Sequence, residues 1–380
     1  MAEEDEWPRN PGTSGSSSST GISESAGADA SAEMPGYVEL FSLAQGTWRR
    51  AWRDCAGCGY AGAWDALRES AFVSWSDAAI LLGLALGWTL LRHAATEKVF
   101  GPMAQWLRLR PADADKFPES CWKLLFYLAI WLYAAHLLVK EEYPFYHNPA
   151  AVFYGWKRGI EVPTDIYLAY VAQASFYAHS IYGTLYMDAW RKDSPVMLLH
   201  HVITLSLLIS SYAFRYHNVG MLALFLHDVT DIQLEFTKLN VYLKTRNNTY
   251  HRLNNILSNI GCITFAVSWF VFRLYWFPLK VLYATCVSSM QTVPDIPFYF
   301  FFNCLLFTIA LMNLYWFSLI LMFVMKVVTG RITEVDDVRE YDIELKKAEM
   351  RPAGGDASNK NHYIKGKVAQ MNGLVKDKRQ

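Results

Sequence analysis

No surplus of charge of either sign marks this sequence: 35 basic residues balance 35 acidic ones, for a net charge of zero. That balance lends nucleic-acid binding no support, because such a surface needs a clustered positive excess. Cysteine is sparse and scattered, with six in all. The one close pair, Cys55 and Cys58, lies in a Gly/Ala-rich segment. No second pair completes a zinc site with it, so it reads as structural or incidental. There is no Gly-x-Ser-x-Gly elbow and no phosphate-binding P-loop. The spaced histidine boxes of membrane di-iron enzymes are missing too, among only ten histidines. No metal and no tightly bound cofactor are therefore expected. Residues 1–35 are rich in Ser, Gly and acids and have no apolar core. They read as a disordered tail and not as a signal peptide, which leaves the first apolar run to serve as the insertion signal.

Apolar sequence is what the chain has in quantity. Hydrophobic residues make up 53% and aromatic residues 15%, a composition of the polytopic membrane class. A run of about 20 apolar residues spans a bilayer as a helix. Seven runs qualify: Ser74–Arg92, Cys121–Val139, Asp165–Tyr186, Pro195–Phe214, Val219–Leu239, Ile256–Phe277 and Pro297–Val328. The expected fold is all-α, a polytopic membrane protein of seven transmembrane helices, six of them bundled around an internal cavity. The third run carries Gln173, Ser175, His179 and Ser180, so it cannot face lipid all round. The seventh is long and is expected to tilt or emerge into the interface.

Basic residues concentrate in alternate loops: Arg92, Lys98, Arg108, Arg110 and Lys116; then Arg191 and Lys192; then Lys244, Arg246 and Arg252. By the positive-inside rule these loops are cytosolic, with the N-terminus luminal and the C-terminus cytosolic. The sequon Asn247-Asn248-Thr249 then falls in a cytosolic loop, where no glycan is expected. The tail 329–380 reads as largely disordered and ends Lys376-Asp377-Lys378-Arg379-Gln380. Lysines third and fifth from the end match a dilysine retrieval signal, which points to the endoplasmic-reticulum membrane.

Inside the apolar runs sit side chains that lipid disfavours. His200 and His201 occupy the fourth run, and Asp228 and Asp231 the fifth. An ionisable group in a membrane span costs a few kcal/mol or more, so it faces a bundle interior and marks function. At 1.5 Å per residue, His200 lies roughly 8 Å inside the cytosolic end of its run and Asp231 about 10 Å inside its own. Asp228 is one turn deeper on the same face, and His179 is roughly 14 Å deep. Three runs thus bring costly groups to a similar depth. Imidazole serves as nucleophile or general base near neutral pH, and a carboxylate can orient it. These residue types suit acyl transfer better than redox chemistry. Adjacent His200 and His201 point about 100° apart, so they cannot share one cavity equally. The turn Trp190-Arg191-Lys192 above the site is either a topology anchor or a cradle for a phosphate-bearing group. Arg273, among Trp269, Tyr275 and Trp276, reads as an anchor snorkelling to the luminal interface.

These residues also stand in a longer pattern. Leu198-Leu199-His200-His201-Val202-x-Thr204 is followed by Tyr212-x-x-Arg215-Tyr216-His217-Asn218-x-Gly220. Then comes Leu226-His227-Asp228-x-x-Asp231-x-x-Leu234-Glu235-x-x-Lys238. This resembles the Lag motif of the ceramide synthases, within a region 117–328 that looks like their TRAM–Lag1–CLN8 domain. The remainder then divides into a pre-membrane segment 1–73, a first helix 74–92 and a cytosolic loop 93–116. That loop is too short for the homeobox-like insert of some relatives, which fits the isoform-1 branch.

The resemblance implies N-acylation of sphinganine or sphingosine by a fatty acyl-CoA co-substrate, stearoyl-CoA for that branch. It implies catalytic roles for His200, His201, Asp228 and Asp231. His179, Trp190, Arg191 and Lys192 would contact substrate. In one mechanism His200 forms an acyl-imidazole; in the other a histidine acts only as base during direct transfer. The loop Cys286–Ile296 corresponds to the family's acyl-selecting segment. Partners beyond the substrates would be the bilayer and a second ceramide synthase chain, the same or another, in a dimer. A non-catalytic, lipid-binding member of the superfamily would keep the bundle but need no such His and Asp set.

Overall fold

The computed structural model describes residues 35–55, 60–139, 143–293 and 295–329. Cys58, the N-terminal tail and the C-terminal tail with its dilysine signal lie outside them, and so does any geometry for the Cys55–Cys58 pair.

The described chain is helical nearly throughout. Two helices, α1 (Tyr37–Cys55) and α2 (Tyr60–Ser70), precede the first long one, α3 (Trp75–Ala95). A capping box starts α3: the Asp77 amide donates to Ser74 Oγ, and the Ser74 amide to Asp77 Oδ2. That satisfies two of the amides a helix start leaves open. A π-helical turn, Thr96–Phe100, leads into α4 (Gly101–Trp106). The short α5 (Pro111–Ala114) precedes α6 (Phe117–Val139). Two 3-10 segments, Pro144–Tyr146 and Pro149–Phe153, form the connection to α7 (Thr164–Tyr186). Next come α8 (Ser194–Ala213) and α9 (His217–Leu243). A small antiparallel hairpin of β1 (Thr245–Arg246) and β2 (Thr249–Tyr250) closes the turn after α9.

The next helix departs from expectation. α10 (Arg252–Trp269) does not end near Phe277. It continues through π-helical turns, Phe270–Leu282 and Ala284–Ser288, to α11 (Ser289–Thr292). Pro278 lies inside this stretch. A proline has no N–H to donate and crowds an ordinary α-turn, and the wider π-turns accommodate it. Most of the segment expected to be a loop, Cys286–Ile296, is therefore helical. The last helix is α12 (Tyr299–Val328). Its 30 residues would run about 45 Å against a hydrocarbon core of about 30 Å, so it must tilt or emerge.

Each of the seven apolar runs folds as a helix. Among the described residues, five helices are long and apolar enough to cross a membrane by length and composition. α7 and α9 are long too, at 23 and 27 residues, but carry the polar side chains of the interior. α9 is central: it packs along α6 and α10 and also meets α7 and α8. Glycines allow the close approaches. A Cβ on Gly220 of α9 would stand 1.6 Å from the Tyr170 hydroxyl of α7, and one on Gly261 of α10 would stand 2.5 Å from Thr237 Oγ1 of α9. Small residues at such crossings let membrane helices pack where no hydrophobic effect drives them together. α3 lies outside, along α7, and its leucines at 82, 84, 86, 90 and 91 are exposed.

Candidate functional site

An internal cavity of about 830 Å³, counting its mouth, runs between α7, α8, α9, the π-helical stretch and α12. α6 contributes no lining residue. One end is marked by His200 and Tyr177; Phe153, Tyr216, Ile296, Pro297 and Tyr299 line the other. Along α8 the lining runs from His200 to Ser211, a rise of about 16 Å. Most of the wall is aliphatic or aromatic, as a site for an extended apolar ligand requires.

His200 is the one expected site residue that lines this cavity. Its ring is buried, meets the Trp316 ring edge-on at 5.3 Å, and leaves Nδ1 without a partner among the described residues. Trp316 is itself fixed, because its Nε1 donates to Asp193 Oδ2 at 3.1 Å. His201, whose ring centroid is 5.9 Å from that of His200, turns toward α7. There its Nδ1 lies 3.4 Å from Thr184 Oγ1. The helical offset expected of adjacent residues thus separates the two, one in the cavity and one in the wall.

Of the two carboxylates, Asp228 is buried and Asp231 half-buried, and neither bonds an imidazole. Asp228 Oδ2 accepts from Gln173 Nε2 at 2.6 Å, and its Oδ1 has no partner among the described residues. Asp231 Oδ1 accepts from Arg273 Nη2 at 2.7 Å. The expectation that the carboxylates orient the imidazole directly is corrected here. The Tyr177 ring packs near both imidazoles, 6.5 Å from His200 and 5.9 Å from His201.

Arg273 is a second correction. It does not snorkel to an interface but is buried at 3% exposure. Its Nε donates to Thr230 Oγ1 at 2.6 Å and its Nη2 to the His227 carbonyl at 3.0 Å as well as to Asp231. The guanidinium also sits 4.1 Å from the Trp269 ring centroid. The π-helical stretch carries it inward toward α9. His227 does line the cavity, yet both its nitrogens are engaged. Nδ1 lies 2.8 Å from the Ala223 carbonyl and Nε2 lies 3.2 Å from Asn313 Nδ2. With Nδ1 donating, Nε2 can only accept, so His227 acts as a neutral brace.

His179 does not reach the cavity. It lies two residues past Tyr177, about 200° around α7, and faces α3. Its Nδ1 lies 2.9 Å from Thr89 Oγ1, and its ring is packed 6.1 Å from Trp122. Trp88 Nε1 donates to Ser175 Oγ at 2.9 Å in the same contact. His179 therefore docks α3 onto the bundle.

The turn between α7 and α8 caps the site. Arg191 is buried and clamps the Glu119 carboxylate, with Nη1 at 2.9 Å and Nη2 at 3.4 Å. Lys123 joins Glu119 and Asp188, each at 2.8 Å, and Arg92 of α3 also pairs with Asp188. Burial and the Glu119 carboxylate push the Asp188 pKa up, but Lys123 and Arg92 overcome both and hold it below the usual value. Arg191 is thus engaged by protein, whereas Lys192 is exposed and Trp190 half-buried at the same turn.

Sequence reasoning overlooked Tyr177, Thr204 and the inward role of Arg273. For Thr204 a signal existed: it stands one turn after His200, so the two share a helix face.

Residues 116–322 match the TRAM_LAG1_CLN8 family, the TLC domain. Human Ceramide synthase 1 is 54% identical over 346 residues, covering 91% of this chain and 95% of the relative. The mouse protein of the same name is 52% identical over 335 residues, covering 88% and 95%. Ceramide synthase LOH2 of Arabidopsis thaliana is 29% identical over 277 residues, covering 68% and 90%. A TLC domain holding the histidine and aspartate pairs in its interior, together with these similarities, places the chain in the ceramide synthase family.

Proposed function

We propose that this protein transfers a fatty acyl group, stearoyl by preference, from acyl-CoA to the amine of sphinganine or sphingosine. The observation that carries this is a long apolar cavity ending at a buried histidine whose ring nitrogens make no hydrogen bond among the described residues. The cavity takes the acyl chain, and His200 meets the thioester carbonyl at its end. The α7–α8 turn, with Trp190, Lys192 and the clamped Arg191, stands on the cytosolic side and meets the CoA phosphates. The protein resides in the endoplasmic-reticulum membrane with its N-terminus luminal, and region 117–328 is its catalytic domain.

The transfer runs in two displacements. The free His200 nitrogen adds to the thioester carbon, the C–S bond breaks, and CoA departs as a thiolate that takes up a proton. The substrate amine then adds to the acyl-imidazole, loses its proton, and expels the imidazole. Asp228 and Asp231, on neighbouring turns of α9, receive that proton through the intervening groups. His201 and Thr184 hold the α7–α8 wall in place.

The test is an in vitro assay of the purified protein with sphinganine and a ladder of acyl-CoA lengths. Dihydroceramide should form, with its maximum at stearoyl-CoA. No product at any chain length would overturn the reading.

A further inference from the structure

Polar side chains lining an apolar cavity are ordinarily satisfied by the protein, because an unmade hydrogen bond there costs stability. Most of those here are. Ser211 donates to the Leu208 carbonyl, Tyr216 to Pro297, Tyr299 to Cys286 and Thr285 to Leu282. The Asn303 amide donates to the Thr285 and Tyr299 carbonyls. His227 is held between Ala223 and Asn313.

Besides His200, two lining groups break the pattern. Thr204 Oγ1 is buried with no partner among the described residues, although a helical threonine commonly bonds the carbonyl four residues back. Tyr177, 4% exposed, lines the cavity with a hydroxyl that makes no hydrogen bond among the described residues. Both exceptions gather around His200. Thr204 is one helical turn from it on α8, and the Tyr177 ring faces it from α7 at 6.5 Å. The far end of the cavity, where only chain methylenes would lie, has no such group.

We infer that Tyr177 and Thr204 form the oxyanion-binding pair of the acyl transfer, donating two hydrogen bonds to the thioester oxygen as His200 or the amine adds to its carbon. This rests on the acyltransferase reading and holds for either nucleophile. When the nucleophile's lone pair bonds to the carbonyl carbon, the π pair moves onto oxygen, which becomes negative. The two O–H groups accept that charge without giving up their protons; a phenol and an alcohol are both protonated near neutrality. The C=O bond re-forms as the thiolate or imidazole leaves. Donors fixed in a largely apolar site are worth most at this step, because they need no reorganisation as the charge develops.

The test compares Tyr177→Phe, Thr204→Val and Thr204→Ser in the purified full-length protein. It measures kcat and KM for acyl-CoA, and binding of an S-alkyl-CoA thioether that has no carbonyl. Tyr177→Phe and Thr204→Val should each lower kcat about 10²-fold with KM and thioether binding little changed. Thr204→Ser, which keeps the hydroxyl, should stay within a few-fold of the parent. Thr204→Val keeps shape and Thr204→Ser keeps the donor, so this pair decides even if Tyr177→Phe does not fold. Unchanged kcat in Thr204→Val, or a parallel loss of thioether binding, would overturn the assignment while ceramide formation by the parent protein still stands. A parent protein that makes no ceramide would instead sink the acyltransferase reading itself.

Discussion

Replacing Arg273 with methionine tests how the site is held. The change keeps an unbranched side chain of similar reach but removes the hydrogen bonds to Thr230, the His227 carbonyl and Asp231. It also removes the cation over Trp269. Breaking a buried ion pair from one side costs about 3–5 kcal/mol, because the partner is left uncompensated. The Asp231 side chain keeps 21% exposure, so water recovers part of this and the lower bound, about 3 kcal/mol, applies. For a helical domain of this size that lowers the melting temperature by about 6–12 °C. Arg273→Met with Asp231→Asn leaves no charge stranded. The double variant should therefore be less destabilised than the two singles summed, by about 1–2 kcal/mol. Reversible unfolding of the four proteins in mixed micelles measures this. Additivity within about 0.5 kcal/mol would refute the idea that Arg273 and Asp231 stabilise one another.

Other substitutions probe other parts of the account. Gly220→Ala sets a methyl against the Tyr170 hydroxyl and should destabilise by about 1–3 kcal/mol. Tyr170→Phe should recover only part of that in the same unfolding assay, since the ring carbon Cζ is also close, at 2.7 Å. Ile296→Trp narrows the end of the cavity away from His200 and should shift acyl-CoA preference to shorter chains; an unchanged length profile would place the acyl chain elsewhere. The depressed Asp188 pKa gives a pH signature. A carboxyl held below its unfolded value of about 3.8 contributes stability above that value and loses it as pH falls through the lower, folded one. Asp188→Asn should therefore flatten the acid limb below pH about 4 and leave the slope from pH 5 to 7 unaltered.

The helices were legible because lipid sets their length and composition. All seven apolar runs fold as helices, and the intramembrane charges do turn inward. His200 was legible for the same reason, since a histidine in an apolar run has few places to go. Which way each remaining group turns depended on contacts far apart in sequence. Arg191 sits in a short basic turn that suggests phosphate binding, but Glu119, at the start of α6, engages it. His179 shares a helix with Tyr177 yet faces α3. Arg273 has the aromatic neighbours of an interfacial anchor, and only the π-helical path through Pro278 shows that it points inward. Neither the cavity nor its unpartnered hydroxyls could be read from residue types, because a threonine in a span is ordinarily satisfied by its own helix.

The central claim is that acyl transfer takes place at His200. Its most direct test is the rate of dihydroceramide formation by purified, folded His200→Ala beside the parent protein, with sphinganine and stearoyl-CoA. The account predicts a loss of at least about 10²-fold, and more if the imidazole carries the acyl group. Dihydroceramide formation at the parent rate would contradict it.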